Sequence, residues 1–125
     1  MNKISNQIKT GTLGELLVQL RLLQFGIQAA PPLKDSGNDL IAVHGEVFKA
    51  IQVKTTTTGS YTKHNLPKYY HILAVVDLQG NGKEVFLDQS RVFLIARDMV
   101  SKVPTRCKDI PRKFLLTESN LDQLF

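Results

Sequence analysis

A chain of 125 residues, 42% hydrophobic and 22% charged, is one domain's worth of globular protein, long enough to bury a core without a metal staple. No run reaches the roughly 18 apolar residues of a membrane-crossing helix, the start Met1-Asn2-Lys3-Ile4-Ser5-Asn6 is too polar for a signal peptide, and one cysteine, Cys107, excludes an internal disulfide or a multi-cysteine zinc site. The net charge of +5 makes acidic partners the natural ones, and together these features predict a single soluble cytoplasmic domain over residues 1–125, without membrane contact.

Leu13, Leu16, Leu17, Leu20 and Leu23 recur at helical spacing and predict a helix over 13–25, its apolar stripe widened by Val18 and Leu22 and stopped by Gly26. Thr12-Leu13-Gly14-Glu15 has the form of a capping box, with Thr12 as N-cap and Glu15 reaching back. Gly14 weakens a first helical turn, so its presence calls for a backbone or a phosphate approaching closely. Pro31-Pro32 forbids regular structure, and residues 34–38 read as a loop.

The period then changes to that of strands. Residues 40–43 and 47–54 read as two strands joined by His44-Gly45-Glu46-Val47, where Gly45 suits the first central position of a type II′ turn. Residues 71–77 form a near-continuous apolar run and read as a buried strand, followed by a turn at 79–82. Further strands are expected at 84–87, 92–95 and 114–116, with helical pieces at 97–102 and 118–124. The fold class is α/β (α+β): a central mixed sheet flanked by helices, with an N-terminal helix leading into a β-hairpin.

Charge is unevenly spread. Between Arg97 and Lys113 six basic residues face only Asp98 and Asp109. Between Lys54 and His71 there is no acid, while Lys54, Lys63, Lys68, His64 and His71 fall there with all three tyrosines. Cations interleaved with aromatics suit a nucleic-acid backbone, with Tyr61, Lys63, Lys68, Arg97, Lys102 and Arg106 as the candidate contacts. The same pattern also describes two solvated loops.

Hairpin geometry makes a sharper prediction. With the turn centred between Gly45 and Glu46, paired residues have numbers summing to 91, and Asp39 falls opposite Gln52. Asp39, Gln52 and Lys54 then share one face, while Ile51 and Val53 point into a core. A carboxylate, an amide oxygen and an ammonium at one spot can hold Mg²⁺ and steady a phosphate. They also fit a rim salt bridge between Asp39 and Lys54, worth under about 1 kcal/mol. His44, His64 and His71 lack ligand spacing, Cys107 lacks a partner for nucleophilic work, and no Walker, zinc or dinucleotide pattern is present.

Gly11-Thr12-Leu13-Gly14-Glu15, then Ser36-Gly37-Asn38-Asp39-Leu40-Ile41, then Gln52-Val53-Lys54 resembles the PD-(D/E)xK, or restriction-endonuclease-like, nuclease superfamily, most closely its Q-x-K subset. The resemblance covers about residues 9–77. It implies Asp39 as the central metal ligand, Gln52 in place of the acidic ligand, the Val53 carbonyl as a further ligand, Lys54 as the catalytic lysine, and Glu15 completing the site directly or through water. Asn38 stands where the motif has proline, and Gln52 removes one negative charge. The expected activity is Mg²⁺-dependent hydrolysis of DNA phosphodiester bonds, with Mn²⁺ as a substitute cation, of a restriction, homing or junction-resolving kind. A homo-oligomer, a dimer or larger, is expected for two-strand cleavage. The alternatives are an inert nucleic-acid-binding module on the same fold and, third, a basic domain meeting an acidic protein.

Overall fold

The computed structural model describes residues 3–33, 37 and 39–125. The first helix, α1 (Asn6–Leu23), begins earlier than periodicity suggests: Ser5 is its N-cap, accepting from the Ile8 N–H. Thr12 and Glu15 therefore lie inside the helix, and the capping box is not formed. Gly26, at φ +80, ends the helix as expected.

Among the described residues five strands form, β1 (Gln28–Ala30), β2 (Leu40–His44), β3 (Val47–Thr56), β4 (Ile72–Asp77) and β5 (Arg91–Ala96), in the order β1-β2-β3-β4-β5. Only β3 and β4 run parallel; the other neighbours are antiparallel. Strand β1 begins one residue after Gly26, past buried Ile27, and is a three-residue edge strand too short to show a period. The β2–β3 hairpin has the anticipated register, Leu40 opposite Ile51 and His44 opposite Val47, and Gly45 takes φ +62. The loop expected at 34–38 lies outside the described residues apart from Gly37.

Two expected strands do not form. Residues 84–87 make only an isolated bridge, Gly80 to Val85, because the Asn81 side chain gathers the Lys83 and Glu84 N–H groups into a tight loop. Residues 114–116 bridge only from Leu115 to Phe93; the preceding residues coil into 3₁₀ turns at Cys107–Asp109 and Arg112–Phe114. The helical piece at Arg97–Lys102 is also 3₁₀, and α2 (Glu118–Leu124) closes the chain. Buried Asn120 on α2 donates from one amide nitrogen to the carbonyls of Leu94, Phe114 and Leu115, which fastens this irregular stretch to β5.

The sheet separates two cores. On one face Leu17, Val18 and Leu22 of α1 pack on Leu40, Ala42, Ile51, Ile72, Ala74, Val76 and Leu94. On the other, Leu73, Val75, Phe93 and Ile95 meet Tyr61, Tyr70 and the 3₁₀ segments. Strand β4 is buried along its whole length because both faces are covered, hence its unbroken apolar run. The α1 stripe is rotated from the leucine pattern: Leu16, Leu20 and Leu23 are 54%, 54% and 57% exposed, and Gly14, Leu17, Val18 and Leu22 face the sheet.

Gly14 has a packing reason. A Cβ there would collide with the Thr55 side chain of β3, so glycine lets the helix backbone approach the strand. The close partner is a strand, not a phosphate. This approach also fixes the height and rotation of the next residue, Glu15.

Candidate active site

Extending the β2–β3 register by one step puts Asp39 opposite Gln52. Gln52 and Lys54 lie beside Leu73 and Val75 of β4, so they share the face away from α1. Strand β2 starts at Leu40 while β3 runs on to Thr56, so along this edge the last residues of β3 have no partner in β2. The Asp39 carboxylate occupies that edge, its Oδ2 accepting from the Val53 N–H at 2.8 Å. In a strand a residue's N–H and C=O point to the same side, so the Val53 carbonyl opens toward Asp39 as well.

Glu15 reaches the same corner from α1. With Val53, Lys54, Thr55, Asn6 and Thr10 it lines a cleft of about 360 Å³. Burial, and then repulsion from the Asp39 carboxylate, hold its carboxyl above the ordinary 4.5. Two carboxylates close enough to repel form a site of negative potential.

Gln52 supplies the most telling atom. Its Oε1 is buried and has no hydrogen-bond partner, the sole such side-chain atom among the described residues. A buried acceptor left unpaired costs about 1–3 kcal/mol, so it wants a donor or a cation. No three His, Cys, Asp or Glu side chains converge among the described residues. A metal here would therefore use Glu15, Asp39, the Gln52 amide oxygen and the Val53 carbonyl. That donor set is hard oxygen throughout, which fits Mg²⁺.

Lys54 does not pair with Asp39. Its ammonium donates to the His64 carbonyl at 2.8 Å, which holds the side chain over the loop after β3 and leaves two of its three donors. The rim salt bridge is thus not formed. Nothing in the sequence marks the His64 carbonyl as the lysine's anchor, since a backbone atom carries no residue signature.

The candidate backbone contacts divide into two groups. Tyr61 is 6% exposed, its hydroxyl donates to the Pro104 carbonyl at 2.9 Å, and burial pushes its pKa up to about 12. Lys63 donates to the Val103 carbonyl. Both fasten the loop after β3 to the segment after β5; buried Tyr61 is not arranged as a nucleic-acid contact, contrary to expectation, while half-buried Lys63 keeps two of its three donors. Lys68, Arg97, Lys102 and Arg106 are exposed, with Arg97 and Lys68 each 5.5 Å from a tyrosine ring centre (Tyr70 and Tyr69). Arg97 follows Ala96, which pairs with Ile72 at one end of β4, and Arg106 bridges Ser60 beyond the other end of β3. Gln52 and Lys54 lie between them.

Cys107 is buried in the second core and its thiol is pushed up to about 11, chiefly by burial, so it is inert. His71 is used structurally: its Nδ1 accepts from the Ala50 N–H. No helix among the described residues is long and apolar enough to cross a membrane.

No protein-family model matches the chain, and no curated protein matches it in sequence. Among solved structures it is similar to the bacterial homing endonuclease I-Ssp6803I, with a TM-score of 0.61 and 14% identity over 98% of this chain and 92% of that one. The likeness is one of fold: an α+β domain with an N-terminal helix and a five-stranded mixed sheet, matching a nuclease.

Proposed function

We propose that this chain is a metal-dependent endodeoxyribonuclease of the PD-(D/E)xK superfamily, Q-x-K subset, acting with Mg²⁺ or Mn²⁺. The observation that carries the reading is the unpaired, buried Gln52 Oε1, next in β3 to Val53, whose N–H holds the Asp39 carboxylate and which lines a cleft together with Glu15. Glu15, Asp39, Gln52 and the Val53 carbonyl would hold the cation, which when bound supplies Lewis acidity and lowers the pKa of a bound water. Val53 orients the Asp39 carboxylate through its N–H, and Glu15 adds the second negative charge. Lys54, held by the His64 carbonyl, has two donors left to position a water and to meet the charge that develops on a phosphate. Lys68, Arg97, Lys102 and Arg106 would grip the DNA backbone on either side.

One centre per chain cuts one strand, so two-strand cleavage requires at least a dimer. We assign that role to the exposed face of α1, where Leu16, Leu20 and Leu23 border an apolar groove of about 570 Å³ shared with β1 and β2. Likeness to a homing endonuclease supports DNA as the partner. The second reading is an inert DNA-binding module, favoured by one observation: Gln52 stands where a third carboxylate would tighten the cation.

The test is cleavage of plasmid and branched DNA with Mg²⁺, Mn²⁺ or EDTA, alongside Asp39→Ala and Lys54→Ala. Cation-dependent cutting, reduced at least about a hundredfold in both variants, is the expected result. Salt-sensitive binding without cutting of any substrate would leave the inert module, and cutting that survives both substitutions would place the chemistry elsewhere.

A further inference from the structure

Beyond the exit of β3 lies a second polar cleft, of about 320 Å³, that the cleavage chemistry does not use. Its walls include Arg91, Arg106 and Lys108, the hydroxyl-bearing Thr58 and Ser60, and the Asp77 carboxylate. Three cations meet one carboxylate, and that carboxylate is already engaged. Asp77, with a side chain 5% exposed, accepts from the Arg91 guanidinium at 2.9 Å, while Arg91 itself stays 45% exposed. Arg91 is thereby fixed in place, since it also lies over the Phe93 ring at 5.2 Å, and it carries N–H donors beyond the one given to Asp77. Arg106 is only loosely opposed by Asp109, 4.0 Å away.

The cleft is built rather than incidental. Gly59, at φ +86, turns the chain after β3. The Ser60–Arg106 bridge and the Cys107 N–H to Gly59 carbonyl bond, 2.8 Å, then lock the two cation-bearing segments together. Its position is informative as well. Asp77 and Arg91 lie on the sheet face that carries Gln52 and Lys54, because Lys54 pairs with Val75 and Thr56 with Asp77. At about 3.3 Å per strand residue, the cleft wall starting at Thr57 is roughly 10 Å beyond Lys54. That is within one or two nucleotides along a backbone.

We propose that this cleft is a phosphodiester subsite: it takes a backbone phosphate of the DNA strand whose neighbouring phosphate lies at Lys54. The proposal rests on the nuclease reading and adds to it a fixed anchor that sets the strand's register against the cutting site. A free phosphate ion shares the chemistry and is the competing occupant.

The experiment follows a fluorescent 20-base-pair duplex by anisotropy in EDTA, across a salt series, for the wild type and for Arg106→Ala/Lys108→Ala. Both substitutions are of exposed side chains, so Arg91 and the buried Asp77 keep their pair. The subsite predicts weaker binding, by about tenfold or more, and a salt slope shallower by about 0.9 for each phosphate no longer neutralised. A parallel titration with inorganic phosphate, read on the Thr58 and Ser60 amides by NMR, separates the sources. Amide shifts with phosphate but an unchanged duplex slope would mean a free-anion site and overturn the proposal. An unchanged slope with no amide shifts would overturn it too and would remove Arg106 from the DNA grip, while leaving the cutting site at Asp39, Gln52 and Lys54 untouched. Absence of duplex binding by the wild type would instead sink the reading on which it rests.

Discussion

The Asp39 carboxylate accepts from the Val53 backbone N–H at 2.8 Å, not from Lys54 on the same face. That bond satisfies a strand donor that β2 leaves open and turns the Val53 carbonyl toward the same corner. It also frees Lys54, whose ammonium is held from the other side by the His64 carbonyl. The carboxylate and the ammonium are thus each oriented by backbone and available to a third party.

Gln52→Glu tests the orphaned oxygen. A third carboxylate beside Glu15 and Asp39 should tighten Mg²⁺ binding by about tenfold or more, read by calorimetric titration, because opposite charges a few ångströms apart attract strongly in a half-buried site. Without metal the same variant should melt earlier than the wild type, since three like charges repel. Unchanged affinity would remove Gln52 from the ligand set.

Glu15→Gln should trade function for stability. Because the Glu15 carboxyl is held above 4.5 in the folded state, its ionised form opposes folding. Below pH 4.5 the group is protonated folded and unfolded alike, and the substitution changes little. As pH rises past that value the wild type loses stability that the glutamine variant keeps, so at pH 7 the metal-free variant should melt higher. The same variant should lose divalent-cation binding. A lower melting temperature at pH 7 would contradict the assigned burial and repulsion of the Glu15 carboxylate.

Gly14→Ala sets two effects against each other. Alanine gains about 1 kcal/mol of helix propensity, whereas overpacking costs about 1–3 kcal/mol. The obstructing Thr55 atoms include its Cβ, which is anchored to β3 and cannot swing away, so the collision should win. The urea midpoint should fall, and Thr55→Ala in the same chain should recover part of the loss. Cleavage should fall further than stability, because moving α1 also moves Glu15.

Leu16→Glu/Leu20→Glu tests the pairing face. Both side chains are about half exposed, so the monomer's own stability in urea should move by no more than about 0.5 kcal/mol per site. Sedimentation should show a dimer for the wild type and a monomer for the variant, with nicking retained and two-strand cuts lost. A variant that still sediments as a dimer would place the interface elsewhere.

Much of the central architecture is legible in the sequence. The β2–β3 register follows from one glycine, because a two-residue turn leaves a single pairing that buries Ile51 and turns Lys54 to the opposite face. That register alone brings Asp39 level with Gln52. The unbroken run at 72–77 identifies the central strand because a strand covered on both faces needs no polar alternation. The 84–87 and 114–116 segments mislead for the converse reason. Short apolar runs carry no period, and Asn81 and Asn120 capture their backbone through side-chain bonds that a pattern of hydrophobicity does not encode.

What the sequence determined by itself is therefore local and periodic: the hairpin, its register, the buried strand, and the alignment of Asp39, Gln52 and Lys54 on one strand pair. What only the tertiary structure decided concerns groups far apart in the chain. The leucine stripe of α1 was satisfied by two rotations, and the Gly14–Thr55 approach selected the one that exposes Leu16 and Leu20. The start of α1 at Ser5 took Glu15 out of a helix cap, and the packing of α1 brought it within electrostatic reach of Asp39. The same packing left Gln52 Oε1 without a partner and Lys54 on a loop carbonyl, because backbone atoms and empty acceptors acquire meaning only when the chain closes around them.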